Sequence, residues 1–125
     1  MDVISTANAP AAVGPYSQAI RTGNLVFCSG QIPLDPATGA LVGATIEEQA
    51  LQSCQNVMAL LAAAGTDAQH VVKTTCYLAD IADFAAFNTV YAEFFPGCPA
   101  RSCVEVGALP KGALCEVEAI AEIEE

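Results

Sequence analysis

The side chains of this sequence that could do chemistry together fall within its last quarter, where Arg101, Cys103 and Glu105 alternate along one stretch and Glu116 and Glu118 along the next. In extended chain, residues two apart share a face, so Arg101, Cys103 and Glu105 point one way. Glu116 and Glu118 likewise share a face, opposite the wholly apolar set Cys115, Val117, Ala119 and Ala121. If the two stretches pair as an antiparallel hairpin, Arg101 lies beside Glu116 or Glu118, on the face away from those apolar residues. Such a pair can be an ordinary cross-strand ion pair. It can also be a site, because a planar guanidinium offers bidentate hydrogen bonds to a ligand carboxylate and a glutamate can move a proton. Arg101 is one of only four basic residues, with Arg21, Lys73 and Lys111, and it follows Pro99-Ala100 at a loop-to-strand junction, where rigid elements present reactive groups. Cys103 is the weaker candidate. No histidine lies near it in sequence to generate a thiolate, so it reads as an inert thiol or a backbone contact.

Composition narrows the classes of function. The chain has 125 residues, 54% of them hydrophobic, and 4 Lys+Arg against 14 Asp+Glu give a net charge of −10. That length suits a single domain, residues 1–125, and the apolar content, with a mean hydropathy of +0.44, excludes intrinsic disorder. Few and scattered cations argue against nucleic acid and against an anionic membrane surface. No apolar run reaches the ~18–20 residues of a membrane helix, and Met1 to Thr6 lacks the basic start and apolar stretch of a secretory signal, so a cytoplasmic address is expected. Six cysteines stand singly among Val, Leu and Ala and read as reduced thiols. With no Cys-x-x-Cys pair and His70 as the single histidine, no metal site is expected.

The elements that must position these residues follow from local patterns. Ala9-Pro10 to Gly14-Pro15 is a proline-rich loop; Tyr16 to Arg21 and Leu25 to Ser29 form a hairpin around Thr22-Gly23-Asn24. Turn chemistry fills residues 30–41, where Pro33, Asp35-Pro36 and Thr38-Gly39 recur. Thr45-Ile46-Glu47-Glu48 matches a capping box, and apolar residues at spacings of three and four run from Ala50 to Ala62 before Gly65 stops the helix. Val71 to Leu78 reads as a central strand. Asp80 or Asp83 can cap a second helix with an aromatic stripe, Phe84, Phe87, Tyr91, Phe94 and Phe95, that is expected in the core until Pro96 ends it. Arg101 to Val106 and Leu114 to Ile123 close the chain as an antiparallel pair. The order strand, strand, helix, strand, helix, strand, strand predicts an α+β fold, a mixed sheet with two helices on one face. The other face then needs a cover, for which a second copy of the chain is the simplest source.

Pro99-Ala100-Arg101-Ser102-Cys103-Val104-Glu105-Val106, Leu109-Pro110-Lys111-Gly112 and Glu116-Val117-Glu118-Ala119-Ile120-Ala121 resemble the C-terminal signature of the RidA (YjgF) family of reactive-intermediate deaminases. Residues 9–19, 29–36 and 71–75, with Asp83-Phe84 to Asn88, resemble further blocks of that family in order, so the resemblance spans nearly the whole chain. It implies a chorismate-mutase-like fold and a homotrimer with clefts between subunits. The implied activity is cofactor-free hydrolysis of 2-enamine/2-imine acids to 2-oxo acids and ammonia. Carried onto this sequence, Arg101 would clamp the carboxylate of a small-molecule substrate and Glu116 would activate the attacking water. Tyr16, Ser29, Gly30, Asn88 and Cys103 would shape the pocket or contact substrate. Pro96-Gly97-Cys98 is shorter than the matching segment of many relatives, and Cys98 stands where an aromatic residue is common. Two other functions have been described for or fit such a chain: endoribonuclease or translation inhibitor, and a non-catalytic trimer that binds small carboxylates.

Overall fold

Thr45 begins the longest helix as the capping box requires: its hydroxyl accepts from the Glu48 amide at 3.2 Å while the Glu48 carboxylate accepts from the Thr45 amide at 3.2 Å. In the computed structural model, which describes residues 1–124, helix α1 (Ile46–Ala63) ends at Gly65, whose φ of +84° lets the chain turn out of the helix. The strands are β1 (Asp2–Ile4), β2 (Ala19–Thr22), β3 (Leu25–Gln31), β4 (Val71–Leu78), β5 (Ala100–Glu105) and β6 (Cys115–Glu122), with helix α2 (Phe84–Phe94) between β4 and β5. They form one mixed six-stranded sheet in the order β1-β2-β3-β6-β4-β5, and only the β4/β5 pair is parallel. Both helices lie on one face, as the pattern predicts. There Ala50, Cys54, Val57, Leu60 and Leu61 of α1 pack on Val26, Cys76, Leu78, Val117 and Ala121 of the sheet, with Phe87 and Phe95 completing the core. All six cysteines are free thiols; four are buried, and burial pushes Cys28 and Cys76 up to about 12. Among the described residues no helix is long and apolar enough to cross a membrane.

The predicted pairing of the last two strands is overturned. β5 pairs in parallel with β4, Arg101 opposite Thr74 and Cys103 opposite Cys76, while β6 inserts between β3 and β4. The two strands do not touch as a hairpin because β6 carries the most continuously buried face of the chain and gains from a neighbour on each side, whereas β5 is polar and exposed enough for an edge. Helix α2 supplies the crossover that a parallel β4/β5 pair needs, and residues 106–114 carry the chain back to the sheet centre.

Smaller differences have local causes. β1 is a three-residue edge strand too short to show alternation, and β2 starts at Ala19 rather than Tyr16. The hairpin turn is tight, with Thr22 opposite Leu25 and Gly23 at φ +59°. Asp80 caps the short 3₁₀ turn before α2 through the Ala82 amide at 2.9 Å, and Asp83 begins α2 without a side-chain cap. Of the aromatic stripe, Phe87, Tyr91 and Phe95 are core and Phe94 packs at its margin, but Phe84 is 39% exposed.

The face without helices stays open. Phe27, Lys73, Thr75, Tyr77, Glu116, Glu118 and Ile120 share it by register, and Phe27 is 42% exposed.

Candidate active site

Because β5 runs beside β4 with Arg101 opposite buried Thr74, the Arg101 side chain lies on the helix face of the sheet. Helix α2 receives it. The Arg101 Nη1 donates to Asn88 Oδ1 at 2.8 Å, and the guanidinium carbon sits 4.7 Å from the centroid of Tyr91 and 5.5 Å from that of Phe84. Tyr91 is itself held by a 2.6 Å hydroxyl contact with Thr74. Phe84, Asn88 and Tyr91 recur at helical spacing, so one stripe of α2 is a platform for the guanidinium; the reading of Phe84 as core missed this. Asn88 on this stripe was named from sequence only through the family resemblance. Only one guanidinium nitrogen is used by Asn88, and among the described residues no carboxylate lies within ion-pair distance of Arg101, so the cross-strand pair with Glu116 or Glu118 is not formed. Cys103 lies two residues on, on the same face. Burial raises its thiol, and the Arg101 charge opposes that only in part, so the environment favours the neutral thiol.

Glu116 and Glu118 lie opposite Tyr77 and Thr75, on the other face of the sheet. They border a cleft of about 770 Å³, with Tyr16, Ser29 and Gly30 on one wall and Pro110-Lys111 and the turn of residues 36–39 at its end. A β-bulge builds that first wall. Cys28 pairs with Ala119 and Gln31 with Val117, so Ser29 and Gly30 together oppose Glu118 alone. Ser29 Oγ donates to the Ser17 carbonyl at 2.6 Å, which joins the bulge to the Tyr16 loop. Buried Gln18 anchors the same loop, donating to the carbonyls of Thr6 at 3.0 Å and Pro10 at 2.8 Å. At the far end Lys111, at a left-handed φ of +59°, donates to the Gly39 carbonyl at 3.1 Å.

The two carboxylates differ. Glu118 Oε1 accepts from the Tyr77 hydroxyl at 2.9 Å, whereas Glu116 accepts no hydrogen bond among the described residues. Burial, reinforced by the Glu118 charge, holds the Glu116 carboxyl above the usual carboxylate range. A carboxylate so placed takes a proton from water more readily than an exposed one.

Gly30 makes the position of Glu116 possible. A Cβ built there would lie 2.6 Å from Glu116 Oε2 and 2.7 Å from its Cδ. The backbone needs no left-handed conformation at this residue, and what must yield is a flexible side chain. Gly30→Ala is therefore expected to leave the thermal midpoint nearly unchanged while displacing the Glu116 carboxylate, and any turnover that uses this carboxylate is expected to fall by about tenfold to a hundredfold, since displacement of a reacting group by about 1 Å costs that much. Calorimetry and steady-state rates on one preparation check it; a fully active variant would separate Gly30 from the placement of Glu116.

The seven expected site residues thus form two groups. Tyr16, Ser29, Gly30 and Glu116 meet at the open-face cleft; Arg101, Asn88 and Cys103 meet under α2 at the edge strand, and one copy of the chain does not join them. Tyr77 and Gln18 were not singled out from sequence, and Glu118 was singled out only as a possible partner of Arg101. Their roles depend on a diagonal contact across strands and on a loop closure, neither of which leaves a local pattern.

Residues 6–123 match the family described as endoribonuclease L-PSP. RutC family protein y4sK of Sinorhizobium fredii is 55% identical over 121 residues, 96% of each chain. The 2-iminobutanoate/2-iminopropanoate deaminase of Capra hircus is 51% identical over 120 residues, which cover 95% of this chain and 88% of the goat protein. The crystal structure of E. coli TdcF with bound serine superimposes with a TM-score of 0.94 at 43% identity, covering 99% of this chain and 100% of that one.

Proposed function

This chain belongs to the endoribonuclease L-PSP family, the RidA family that its sequence resembles, and on that premise we propose that it is a 2-iminobutanoate/2-iminopropanoate deaminase. The reaction adds water across the C=N bond of a 2-imine acid, reached by proton shift from the 2-enamine, and releases a 2-oxo acid and ammonia. The observation that carries the reading is the Arg101 guanidinium, held by Asn88 and two aromatic rings and, among the described residues, without a carboxylate of its own. That is a receptor prepared for a ligand carboxylate. Glu116 then takes a proton from water as the oxygen bonds to C2, passes it to the nitrogen, and takes the remaining hydroxyl proton as the C–N bond breaks, the carbonyl forms and ammonia leaves. A protonated imine is already electrophilic, so positioning and one proton-transferring group meet the demands of the chemistry without a cofactor. The goat deaminase and the serine bound by TdcF support a small 2-amino-acid-derived substrate.

Arg101 and Glu116 lie on opposite faces of one sheet, so the complete site takes Arg101 from one copy and Glu116 from the next. A contact of that head-to-tail kind makes a ring where its rotation closes, and closure with three copies is the homotrimer implied by the family resemblance. The open face, with Phe27 and Val104 exposed, supplies apolar area for it. Refolding Arg101→Ala and Glu116→Gln chains together is expected to restore about a quarter of the wild-type sites, since each intact site draws its two residues from different copies. Either variant alone is expected to stay at or below about a hundredth of the wild-type rate. No recovery in mixed trimers would place both residues in one subunit's site.

The cytoplasm, where 2-enamine acids leave pyridoxal-phosphate enzymes, is the compartment this reading assigns. An endoribonuclease is disfavoured by a −10 chain whose cleft presents Glu116 and Glu118 and a single cation, Lys111. The deciding assay follows 2-oxo acid release from freshly generated 2-iminobutanoate, with and without protein. No acceleration would refute the deaminase and leave a carboxylate-binding trimer.

A further inference from the structure

Tyr77 stands directly opposite Glu116 in the β4/β6 ladder, yet its hydroxyl donates diagonally to Glu118 Oε1 at 2.9 Å. The hydroxyl directly across the ladder from Glu116 is thus committed as a donor to the carboxylate two residues on. Resting on the deaminase reading for its role in turnover, we propose that Glu118, held by Tyr77, is a positioning residue that keeps the proton affinity of Glu116 high enough for it to act as base and then acid in one cycle. The geometry has two parts. Glu116 and Glu118 share a face of β6 about 7 Å apart along the strand, both border the cleft, and the Tyr77 bond fixes where the second charge sits. A fixed negative charge beside a partly buried carboxyl favours its protonated form.

Other groups near Glu116 do not supply this effect. On β4, Tyr77 is spent on Glu118, and Lys73 lies further along, opposite Ile120. Bulge residues Ser29 and Gly30 of β3 carry no charge, and neighbouring Cys115 points to the core with its thiol raised by burial. Across the cleft stand the phenol of Tyr16 and the ammonium of Lys111, which is bonded to the Gly39 carbonyl. In the assembled site the Arg101 of a neighbouring copy adds a cation that is common to every variant below.

The test is the acid limb of the pH profile of kcat/KM. Glu118→Gln keeps the side-chain shape and removes the charge, and is expected to move that limb to lower pH by roughly one unit. Tyr77→Phe frees Glu118 to turn toward solvent and is expected to move the limb the same way by less. In the Glu118→Gln background Tyr77→Phe is expected to move it no further, which a merely structural tyrosine would not reproduce. Carboxyl ¹³C NMR titration of Glu116 in the same proteins reads the proton affinity directly and needs no substrate, so it decides the proposal even if the protein proves not to be a deaminase. A Glu116 titration unmoved by Glu118→Gln, or equal Tyr77→Phe shifts in both backgrounds, overturns it.

Discussion

Arg101→Ala is expected to abolish measurable deamination while the chain still folds and assembles. The guanidinium lies at an edge strand and meets Asn88, the partly exposed Phe84 and one face of the core residue Tyr91, so its removal leaves the packing of α1 on the sheet untouched. A charge-assisted hydrogen bond is worth roughly 1.5–3 kcal/mol, so its loss alone weakens productive binding by about tenfold to over a hundredfold. The loss of orientation adds to that, because a substrate without its clamp no longer presents C2 to the water. Arg101→Lys retains the charge without the planar fork and is expected to recover only part of the activity. The measurement is kcat/KM for 2-iminobutanoate beside circular dichroism and sedimentation. A folded alanine variant with near-normal kcat/KM would remove Arg101 from substrate binding.

Glu116→Gln is expected to bind a 2-oxo acid product with little change and to turn over about 10²–10⁴ times more slowly, the range for losing a group that transfers protons. Glutamine fills the same space above Gly30, so the bulge and the cleft wall are retained. In the wild type, activity is expected to rise with pH as the Glu116 carboxyl gives up its proton. Since burial and the Glu118 charge hold that proton more tightly than an exposed carboxyl would, the rise comes at higher pH than an ordinary glutamate gives. Isothermal titration with 2-oxobutanoate and single-turnover rates separate the two effects. Weak product binding with normal chemistry would make Glu116 a binding residue instead.

What is local in this protein is legible along the chain. Thr45 and Glu48 announce the start of α1 because both capping bonds form within one turn. Gly23 and Asn24 mark a hairpin because a tight turn constrains only its own dihedrals, and the α1 stripe and the apolar face of β6 follow from fixed periods of side-chain direction. Strand alternation singles out Arg101, Cys103 and Glu116 as candidate site residues, and the family resemblance added Tyr16, Ser29, Gly30 and Asn88. Which of them meet is a different kind of fact. Strand alternation says which residues share a face but not which neighbour the strand takes, and a β5/β6 hairpin looks as good locally as the arrangement that forms. Burial of β6 between β3 and β4 decides it, since that strand gains most from two neighbours. That choice puts Arg101 under α2 and Glu116 on the open face. The contact of Gly30 with Glu116 and the diagonal bond from Tyr77 to Glu118 are products of the same register. Local dihedral and hydrogen-bond preferences act over a few residues and are written in them, whereas the site rests on pairings between segments distant in sequence, whose energies exist only once the sheet has formed.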